Sequence, residues 1–183
     1  TEQLEYPWQW YRVPPYLFSL EGGVFKTGPL VEGFLVTLQI TGLSLFLAVA
    51  FGLISALFRL SGSLVAKAVA RAYVELIRNT PLLVQIFFVY FVLSPVLGLE
   101  RFISAVLALS LFEGAYMSEI FRAGILSVAP SQREAAESLG LGRWDTYRYV
   151  VLPQAVRHVL PPLTGQAVSL IKDSALVAAI AAD

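Results

Sequence analysis

The chain has 183 residues, of which 57% are hydrophobic and only 14% are charged, a balance that excludes an ordinary soluble domain of this length. Its 13 basic and 13 acidic residues cancel, which leaves no net charge to favour nucleic acid as a partner, and the absence of cysteine excludes disulfides and thiolate metal sites. Because His158 is the only histidine, a multi-histidine metal centre is excluded too, and no cofactor is expected.

Residues 1–29 combine aromatic residues with prolines and lack the pattern of a cleavable signal peptide. Trp8, Trp10, Tyr11 and Tyr16 are typical of the headgroup layer of a membrane, where amphipathic rings prefer to lie. This segment is therefore predicted to be a periplasmic, interfacial anchor. The alternative interpretation is a docking surface for an external partner.

Four apolar segments predict membrane-spanning helices and hence an all-α, polytopic membrane protein with its N-terminus outside. They cover residues 33–58, 81–99, 102–121 and 159–182. The first is uncharged over 26 residues, about 39 Å of helix, which exceeds the hydrocarbon core of about 30 Å. The second helix is expected to begin as early as Ala66, with a bend before Pro81.

Basic residues predict the orientation, because lysine and arginine stay on the cytoplasmic side during insertion. Four of the thirteen lie in residues 59–78 and five lie in residues 122–158. Both segments are therefore predicted to be cytoplasmic, with the turn at 95–101 outside. Residues 30–183 are expected to form a single transmembrane domain.

The predicted cytoplasmic loop, residues 122–158, contains helical signals of its own. Ser131 and Glu134 have the spacing of a capping box, which predicts a short helix that begins at Gln132. Gly140 is suited to end that helix in the left-handed conformation. In the alternative interpretation, Glu134 only caps its own helix.

Ala135, Ala136 and Leu139 give this short helix a small apolar stripe on one face. A second short helix is expected over residues 145–151. It is predicted to stop there, because Pro153 lacks the amide hydrogen that a continuing helix needs.

The same loop carries an ordered motif: Glu134-Ala135-Ala136, then Gly140, then Val150, Leu152 and Pro153. It resembles the EAA signature of ABC importer permeases, in which EAA, three residues, Gly, nine residues, an aliphatic, one residue and Leu-Pro recur in that order. Four further blocks resemble the polar amino acid uptake subfamily, the histidine, glutamine and glutamate permease type: VELIRNTPLLVQ at 74–85, EGAYMSEIFRAGILSV at 113–128, LPQAVRHVLPPL at 152–163 and SLIKDSAL at 169–176. Ser131 stands where that subfamily usually has glycine.

The resemblance implies the permease subunit of an ATP-driven importer of polar amino acids in the bacterial inner membrane. Two such subunits, identical or paralogous, pack together in the lipid bilayer, bind a cytoplasmic ABC ATPase subunit and receive substrate from a periplasmic binding protein. Hydrolysis is expected in that ATPase, since this chain has no GxxxxGK[ST] phosphate loop. The subfamily has a fifth core helix after residues 169–183, so the sequence is expected to be truncated before it. The implied ATPase-coupling residues are Glu134, Ala135, Ala136, Leu139, Gly140, Leu152 and Pro153.

Charges inside the spans mark a candidate substrate pathway, since a charged side chain at mid-membrane costs about 2.5 to 3.5 kcal/mol even on the lower scales. Glu113 and Lys172 are placed at comparable depth, where they are able to pair, and Tyr116 shares the helix face of Glu113. In this interpretation Glu113 faces the ammonium group of an amino acid and Lys172 faces its carboxylate. In the alternative, the pair only holds two helices in register.

Two other classes of function fit the composition. A passive channel or structural membrane subunit needs no ATPase encoded beside it. An intramembrane enzyme needs catalytic groups at depth, yet Asp173 is the only aspartate in a predicted span short of the chain end, and Ser169 or Ser174 beside Lys172 has no supporting motif.

Overall fold

The computed structural model of the chain describes residues 13–21 and 24–180. Nearly all of these residues are helical, and at least three helices are long and apolar enough to cross a membrane, which confirms the predicted all-α, polytopic membrane class. The contacts divide the chain into two units, Thr1–Gln39 and Ile40–Asp183, which are described separately.

The first unit contains a short hairpin that the sequence did not predict. Helix α1 covers Val13–Leu17, and strands β1 (Phe18–Glu21) and β2 (Val24–Thr27) pair antiparallel. Tyr16, one of the predicted interfacial aromatics, is 55% exposed. The others fall outside the described residues: Trp8, Trp10 and Tyr11.

Helix α2 covers Pro29–Leu60, so it contains the first predicted span and extends it at both ends. Proline is tolerated in the first turn, because the amide hydrogen that it lacks has no partner there. At the other end, Arg59 lies in the last turn, where the helix dipole favours a positive charge.

Helix α3 covers Leu64–Arg78 and begins where Ser63 caps it. The Ser63 hydroxyl accepts a hydrogen bond from the Ala66 amide at 3.3 Å. Along α3, the Tyr73 hydroxyl donates to the Leu111 carbonyl at 2.7 Å, which ties this helix to the middle of the next long one.

The chain breaks at residues 79–81 and turns by 107° into Leu82–Leu97. The predicted bend is confirmed, and the helix before it begins at Leu64, close to the predicted Ala66. The helix breaks at this bend because proline forces the residue before it out of the helical region. The side-chain amide of Gln85 satisfies two carbonyls at the break, donating to Ile77 at 2.8 Å and to Thr80 at 2.9 Å. The part after the break, Leu82–Leu97, consists of three segments: α4 (Leu82–Phe87), a π-helical turn (Phe88–Leu93) and α5 (Ser94–Leu97).

Helix α6, Arg101–Leu126, is the central element of the second unit and contains the third predicted span. It packs against α3, α4 and the long helix that ends the described chain. Its inward face is almost completely buried, including Ala108, Leu109, Ala115 and Met117. A helix with buried residues on several sides is the expected centre of a membrane bundle.

One long helical rod, Arg143–Ile180, follows α6 and the short helix α7, Pro130–Ser138. The predicted stop at Pro153 is therefore wrong. A wide π-helical turn precedes the proline and accommodates its ring, and Gln154 donates its side-chain amide to the Val150 carbonyl at 2.9 Å. The rod consists of α8 (Arg143–Asp145), the π-helical turn (Thr146–Val151), α9 (Leu152–Asp173) and a 3₁₀ segment (Ser174–Ile180).

Within the predicted cytoplasmic loop 122–158, residues 127–142 connect α6 to the rod and the remaining residues belong to these two long helical elements. That this whole segment is cytoplasmic stays a prediction. Among the described residues, three helices are long and apolar enough to cross a membrane, and the bent pair of α3 with Leu82–Leu97 makes a fourth if it is one span. The count of four spans and the outside N-terminus stay predictions.

Small residues let α2 and α6 approach each other closely. The Ser118 hydroxyl donates to the Ser55 hydroxyl at 2.9 Å, and a Cβ added to Gly52 would lie 2.8 Å from Cβ of Met117. Within a membrane, helices associate through such close packing and interhelical hydrogen bonds, since the surrounding lipid is as apolar as the side chains.

We expect Gly52→Ala to lower the thermal stability of the detergent-solubilised subunit. The added methyl group overpacks the α2–α6 contact, and overpacking costs about 1 to 3 kcal/mol. The matched control is Gly42→Ala on the same helix, where an added Cβ meets nothing within 4 Å, so that both variants share the gain in helix propensity. A melting temperature for Gly52→Ala at or above that of Gly42→Ala would contradict the close approach.

Candidate functional site

The short helix α7 starts at a different residue from the one predicted. Pro130 occupies its first turn and Ala129 is the N-cap, so Ser131 already lies inside the helix. The predicted capping box of Ser131 with Glu134 is therefore wrong, and in the described structure no side chain caps α7. Proline takes the first position because its fixed φ angle suits a helix and its missing amide hydrogen needs no partner there.

The end of α7 is the one predicted. Gly140 has a φ of 83°, its N–H donates to the Glu137 carbonyl at 3.0 Å, and the Leu141 N–H donates to the Ala136 carbonyl at 3.1 Å. These two bonds form a Schellman motif, which closes a helix with a glycine in the left-handed conformation. Gly140 therefore stops the helix abruptly.

The predicted coupling residues divide into a buried and an exposed group. Ala136 is only 4% exposed and holds α7 against the bundle, whereas Leu139 is 82% exposed. The remaining predicted residues are exposed as well: Glu134, Ala135, Gly140, Leu152 and Pro153. One face of α7 and the adjacent start of α9 are thus open to a partner.

Arg133 lies three residues before Ala136, on the same face of α7, and also fixes this helix to the bundle. Its guanidinium donates to the Ile125 carbonyl at 3.4 Å and lies over the Tyr147 ring, 5.4 Å from the ring centroid. Ile125, at the end of α6, packs against a small apolar core: Val128, Val151 and Ala155. Val151 belongs to the π-helical turn Thr146–Val151 and Ala155 to α9, so movement of α7 would reach both long helices.

Trp144 is a residue that the sequence reasoning missed. It is 74% exposed at the start of the rod, close in sequence to the exposed Leu139. Large apolar side chains exposed on a charged segment are typical of a protein interface, and the aromatic residue between Arg143 and Asp145 was the available signal.

Glu113 is completely buried on α6. Gln166 of α9 donates a hydrogen bond from its side-chain amide to Oε2 at 2.5 Å, and the Asp173 carboxyl interacts with the same side chain. The second oxygen, Oε1, has no hydrogen-bond partner among the described residues. A buried carboxyl group with a free acceptor is a candidate contact for an ammonium group.

The predicted pairing of Glu113 with Lys172 is wrong for the described chain. Lys172 is exposed and forms no ion pair with a described residue, because α9 turns Gln166, Leu170 and Asp173 toward α6 instead. Lys172 lies about 100° around the helix from its neighbour Asp173. The three predicted pathway residues are therefore not brought together.

Tyr116 belongs to a different place, a polar cavity of about 370 Å³. The Arg78 guanidinium lies 5.1 Å from the centroid of the Tyr116 ring, and Glu113 is not among the lining residues. Charged and polar side chains dominate the lining: Arg59, Arg71, Val74, Glu75, Arg78, Asn79, Tyr116 and Glu119.

Glu119 sits at the centre of a charge cluster that the sequence reasoning also missed. Arg59 of α2 and Arg122 of α6 donate hydrogen bonds to its two carboxylate oxygens, the latter at 3.0 and 3.1 Å, and Arg78 of α3 lies at 3.7 Å. One carboxylate thus joins three helices. Within residues 13–21 and 24–180, no group of three acidic or histidine side chains is arranged to hold a metal ion.

Comparison with known proteins identifies relatives over most of the chain. The glutamine transport system permease protein GlnP of Escherichia coli (strain K12) is 42% identical over 150 residues, which are 80% of this chain and 68% of that protein. The glutamate/aspartate import permease protein GltK of Escherichia coli O157:H7 is 38% identical over 157 residues, 81% of this chain and 70% of that protein.

A solved crystal structure of an amino acid ABC transporter with histidines has the same fold. It superimposes with a TM-score of 0.76 at 40% sequence identity, over 82% of this chain and 71% of that one. A family profile described as binding-protein-dependent transport system inner membrane component matches residues 29–183. Since the helices, the α7 turn and the profile cover the same stretch, the chain belongs to the family of inner-membrane components of binding-protein-dependent transport systems.

Proposed function

We propose that the chain is the permease subunit of an ATP-driven importer of polar amino acids in the bacterial inner membrane. It pairs with a second permease subunit, identical or paralogous, binds a cytoplasmic ABC ATPase subunit and receives its substrate from a periplasmic binding protein. The observation that carries the proposal is the family match over residues 29–183. The named substrates of the relatives, glutamine and glutamate or aspartate, supply the substrate class.

In this proposal, α7 is the coupling element. It offers Glu134, Ala135 and Leu139 to a cleft of the ATPase, while Ala136 and Arg133 hold its other side against the bundle. Closure of the ATPase pair moves α7, and the small apolar core under it transmits that movement to α6 and α9. Access then switches from outside to inside.

The contact of α6 with α9 supports such transmission, because the two helices are tightly packed against each other. A Cβ added to Gly124 would lie 2.1 Å from Cγ2 of Val159. Packed interfaces of this kind move as rigid bodies between discrete arrangements rather than deforming continuously. A displacement at the cytoplasmic end therefore reaches the buried polar groups further along the same helices.

We propose that Glu113, Tyr116 and Lys172 contact the substrate at different points along its pathway, since the single chain does not bring the three together. Glu113 Oε1 is buried without a hydrogen-bond partner among the described residues, so an ammonium group that reaches it would satisfy it, and Gln166 holds the other oxygen in place. Lys172 is exposed in the single chain, and a charge that faces lipid is costly, so it is expected to face the second subunit or the pathway between the subunits.

The experiment that tests the substrate class is competition for uptake of radiolabelled glutamine by proteoliposomes containing the subunit, its ATPase and its binding protein. Excess unlabelled glutamine, glutamate or histidine identifies which polar amino acid is carried, and we expect at least one of them to compete strongly. We expect excess leucine or choline to leave uptake unchanged. Equal competition by leucine would contradict a pathway built on polar contacts.

We expect Glu113→Gln to weaken the apparent affinity for substrate about tenfold with little change in folded yield. The amide keeps the size of the side chain but removes the negative charge that faces the ammonium group, and a hydrogen bond to a charged group is worth about 1.5 to 3 kcal/mol. The measurement is the substrate concentration for half-maximal uptake. A loss of folded protein with unchanged affinity would instead assign Glu113 to holding α6 and α9 in register.

The predicted orientation is tested by cysteine labelling. We expect Arg143→Cys and Thr27→Cys to react with a membrane-impermeant maleimide from opposite sides of the membrane, because basic residues of the α6–α9 connection stay in the cytoplasm. Both positions are exposed and neither lies inside an apolar span. Labelling of both cysteines from the same side would refute the topology.

A further inference from the structure

A second cavity, of about 120 Å³, lies beside the Glu119 cluster and has an unusual lining. Every described residue around it is basic: Arg59, Lys67, Arg71 and Arg122. A volume of about 120 Å³ is enough for one phosphate group, whose five heavy atoms are covalently bonded and therefore compact. Four cations around one small cavity repel one another unless an anion lies between them.

The only described carboxylate that pairs with these cations is already shared. Glu119 is bound to Arg59 and Arg122, with Arg78 also within ion-pair distance. Among the described residues, Lys67 and Arg71 have no ion-pair partner at all. The cavity therefore carries an excess of positive charge, which favours a bound anion of more than one negative oxygen.

Helix α3 presents the two unpaired cations on the face opposite an apolar surface. Lys67 and Arg71 are four residues apart and so lie on one side of the helix. On the opposite side, Val65, Val69 and Leu76 are 74%, 58% and 68% exposed. A helix with a basic face and an exposed apolar face is typical of the boundary between lipid headgroups and acyl chains.

More exposed apolar side chains adjoin the cavity in sequence. Phe58 directly precedes Arg59 and is 45% exposed, and Leu64, three residues before Lys67, is 81% exposed. A soluble anion makes no apolar contact with these side chains, whereas the acyl chain of a lipid would bury them. The ligand that fits both the cations and the apolar surface is an amphiphile with an anionic head.

We propose that this cavity binds the phosphate of an anionic phospholipid from the cytoplasmic leaflet. The predicted topology places residues 59–78 on that side, where anionic lipids concentrate and basic pockets between helices bind their headgroups. The bound phosphate joins the ends of α2, α3 and α6 by neutralising charges that Glu119 leaves unbalanced. The site is independent of which solute the transporter carries.

The test is native mass spectrometry of the delipidated subunit titrated with phosphatidylglycerol or phosphatidylcholine. We expect phosphatidylglycerol to bind at least tenfold more tightly. Lys67→Gln with Arg71→Gln should weaken its binding about 30-fold, since each basic residue near the surface contributes about 1 kcal/mol. The control pair, Arg143→Gln with Arg157→Gln, removes two exposed basic residues outside the cavity and should leave binding unchanged.

Three results would overturn the proposal. Equal binding of the two lipids by the wild-type chain would exclude a charge-selective site, and this comparison does not depend on the folding of any variant. An equal loss in the control pair would show that only the overall positive charge matters. Displacement of phosphatidylglycerol by millimolar inorganic phosphate or glutamine would assign the cavity to a soluble anion or to the carried solute.

Discussion

Replacing Gly140 with valine is expected to abolish transport while leaving the subunit inserted in the membrane. The φ of Gly140 is 83°, and a β-branched residue at positive φ is a steric outlier that costs about 1 to 3 kcal/mol. The Schellman turn consists of two hydrogen bonds, so a cost of this size is enough to open it or to extend α7. Leu139 would then leave the position from which α7 offers it to the ATPase.

Gly142→Val is the matched control for this substitution. Gly142 lies two residues further along the same connection at a φ of −67°, and an added Cβ meets nothing within 4 Å. The measurement is co-purification of the ATPase with each variant at equal membrane levels, followed by substrate-stimulated hydrolysis. We expect at least a tenfold loss of association for Gly140→Val and little loss for Gly142→Val. Unchanged association and stimulation in Gly140→Val would exclude α7 as the coupling element.

Glu119→Gln is expected to destabilise the helical bundle strongly, because this carboxylate joins three helices. Glu119 is 26% exposed, and Arg59, its closest partner, is 17% exposed. Removing one partner of a fully buried ion pair costs about 3 kcal/mol or more, because it leaves uncompensated charge behind, and for this part-buried cluster that figure is an upper bound. In this protein, three arginines on three different helices lose their shared carboxylate at once.

The control is Glu75→Gln, which removes an exposed carboxylate with no described ion pair from the same cavity. We expect Glu119→Gln to lower the melting temperature of the solubilised subunit well below that of Glu75→Gln. Combining Glu119→Gln with Arg59→Gln should recover part of the loss, because the second change removes one unpaired charge. Equal melting temperatures for the two single variants would show that solvent screens the cluster fully.

The long helices could be predicted because an uncharged run of some 20 residues has few structural alternatives. The start of α7 could not be predicted as easily, since the sequence offers two competing signals. Ser131 with Glu134 predicts a capping box, and Pro130 predicts a helix that begins one residue earlier. In the structure the helix begins at Pro130. The ring of proline fixes its φ angle covalently, whereas the capping box depends on side-chain hydrogen bonds.

The contacts of Glu113 could not be predicted from depth in the membrane alone. Glu113 and Lys172 lie at comparable depth, but two residues contact each other only if their helix faces also point toward each other. The buried positions Ala155, Val159 and Leu170 define the inward stripe of α9, and Gln166 belongs to that stripe while Lys172 does not. Spacing along α9 was therefore the signal that could have identified Gln166.

The Glu119 cluster was missed for a related reason. The sequence assigns Arg59, Arg78 and Arg122 to the cytoplasmic side by the positive-inside rule, which concerns insertion and not contacts. Which of these arginines converge depends on how α2, α3 and α6 cross, and in this protein that depends on tight approaches such as Gly114 against Phe51, where an added Cβ would lie 2.9 Å from the Phe51 Cβ. Such packing is visible only in three dimensions.

The most direct test of the proposed importer is the nucleotide dependence of uptake in proteoliposomes that contain the subunit, its ATPase and its binding protein. We predict accumulation of glutamine or another polar amino acid against its gradient when ATP is present on the ATPase side, and none with a non-hydrolysable ATP analogue. The same vesicles with Gly140→Val should fail to accumulate substrate even with ATP. Equilibration of the amino acid without ATP, at the same rate in both proteins, would identify a passive channel and contradict the importer.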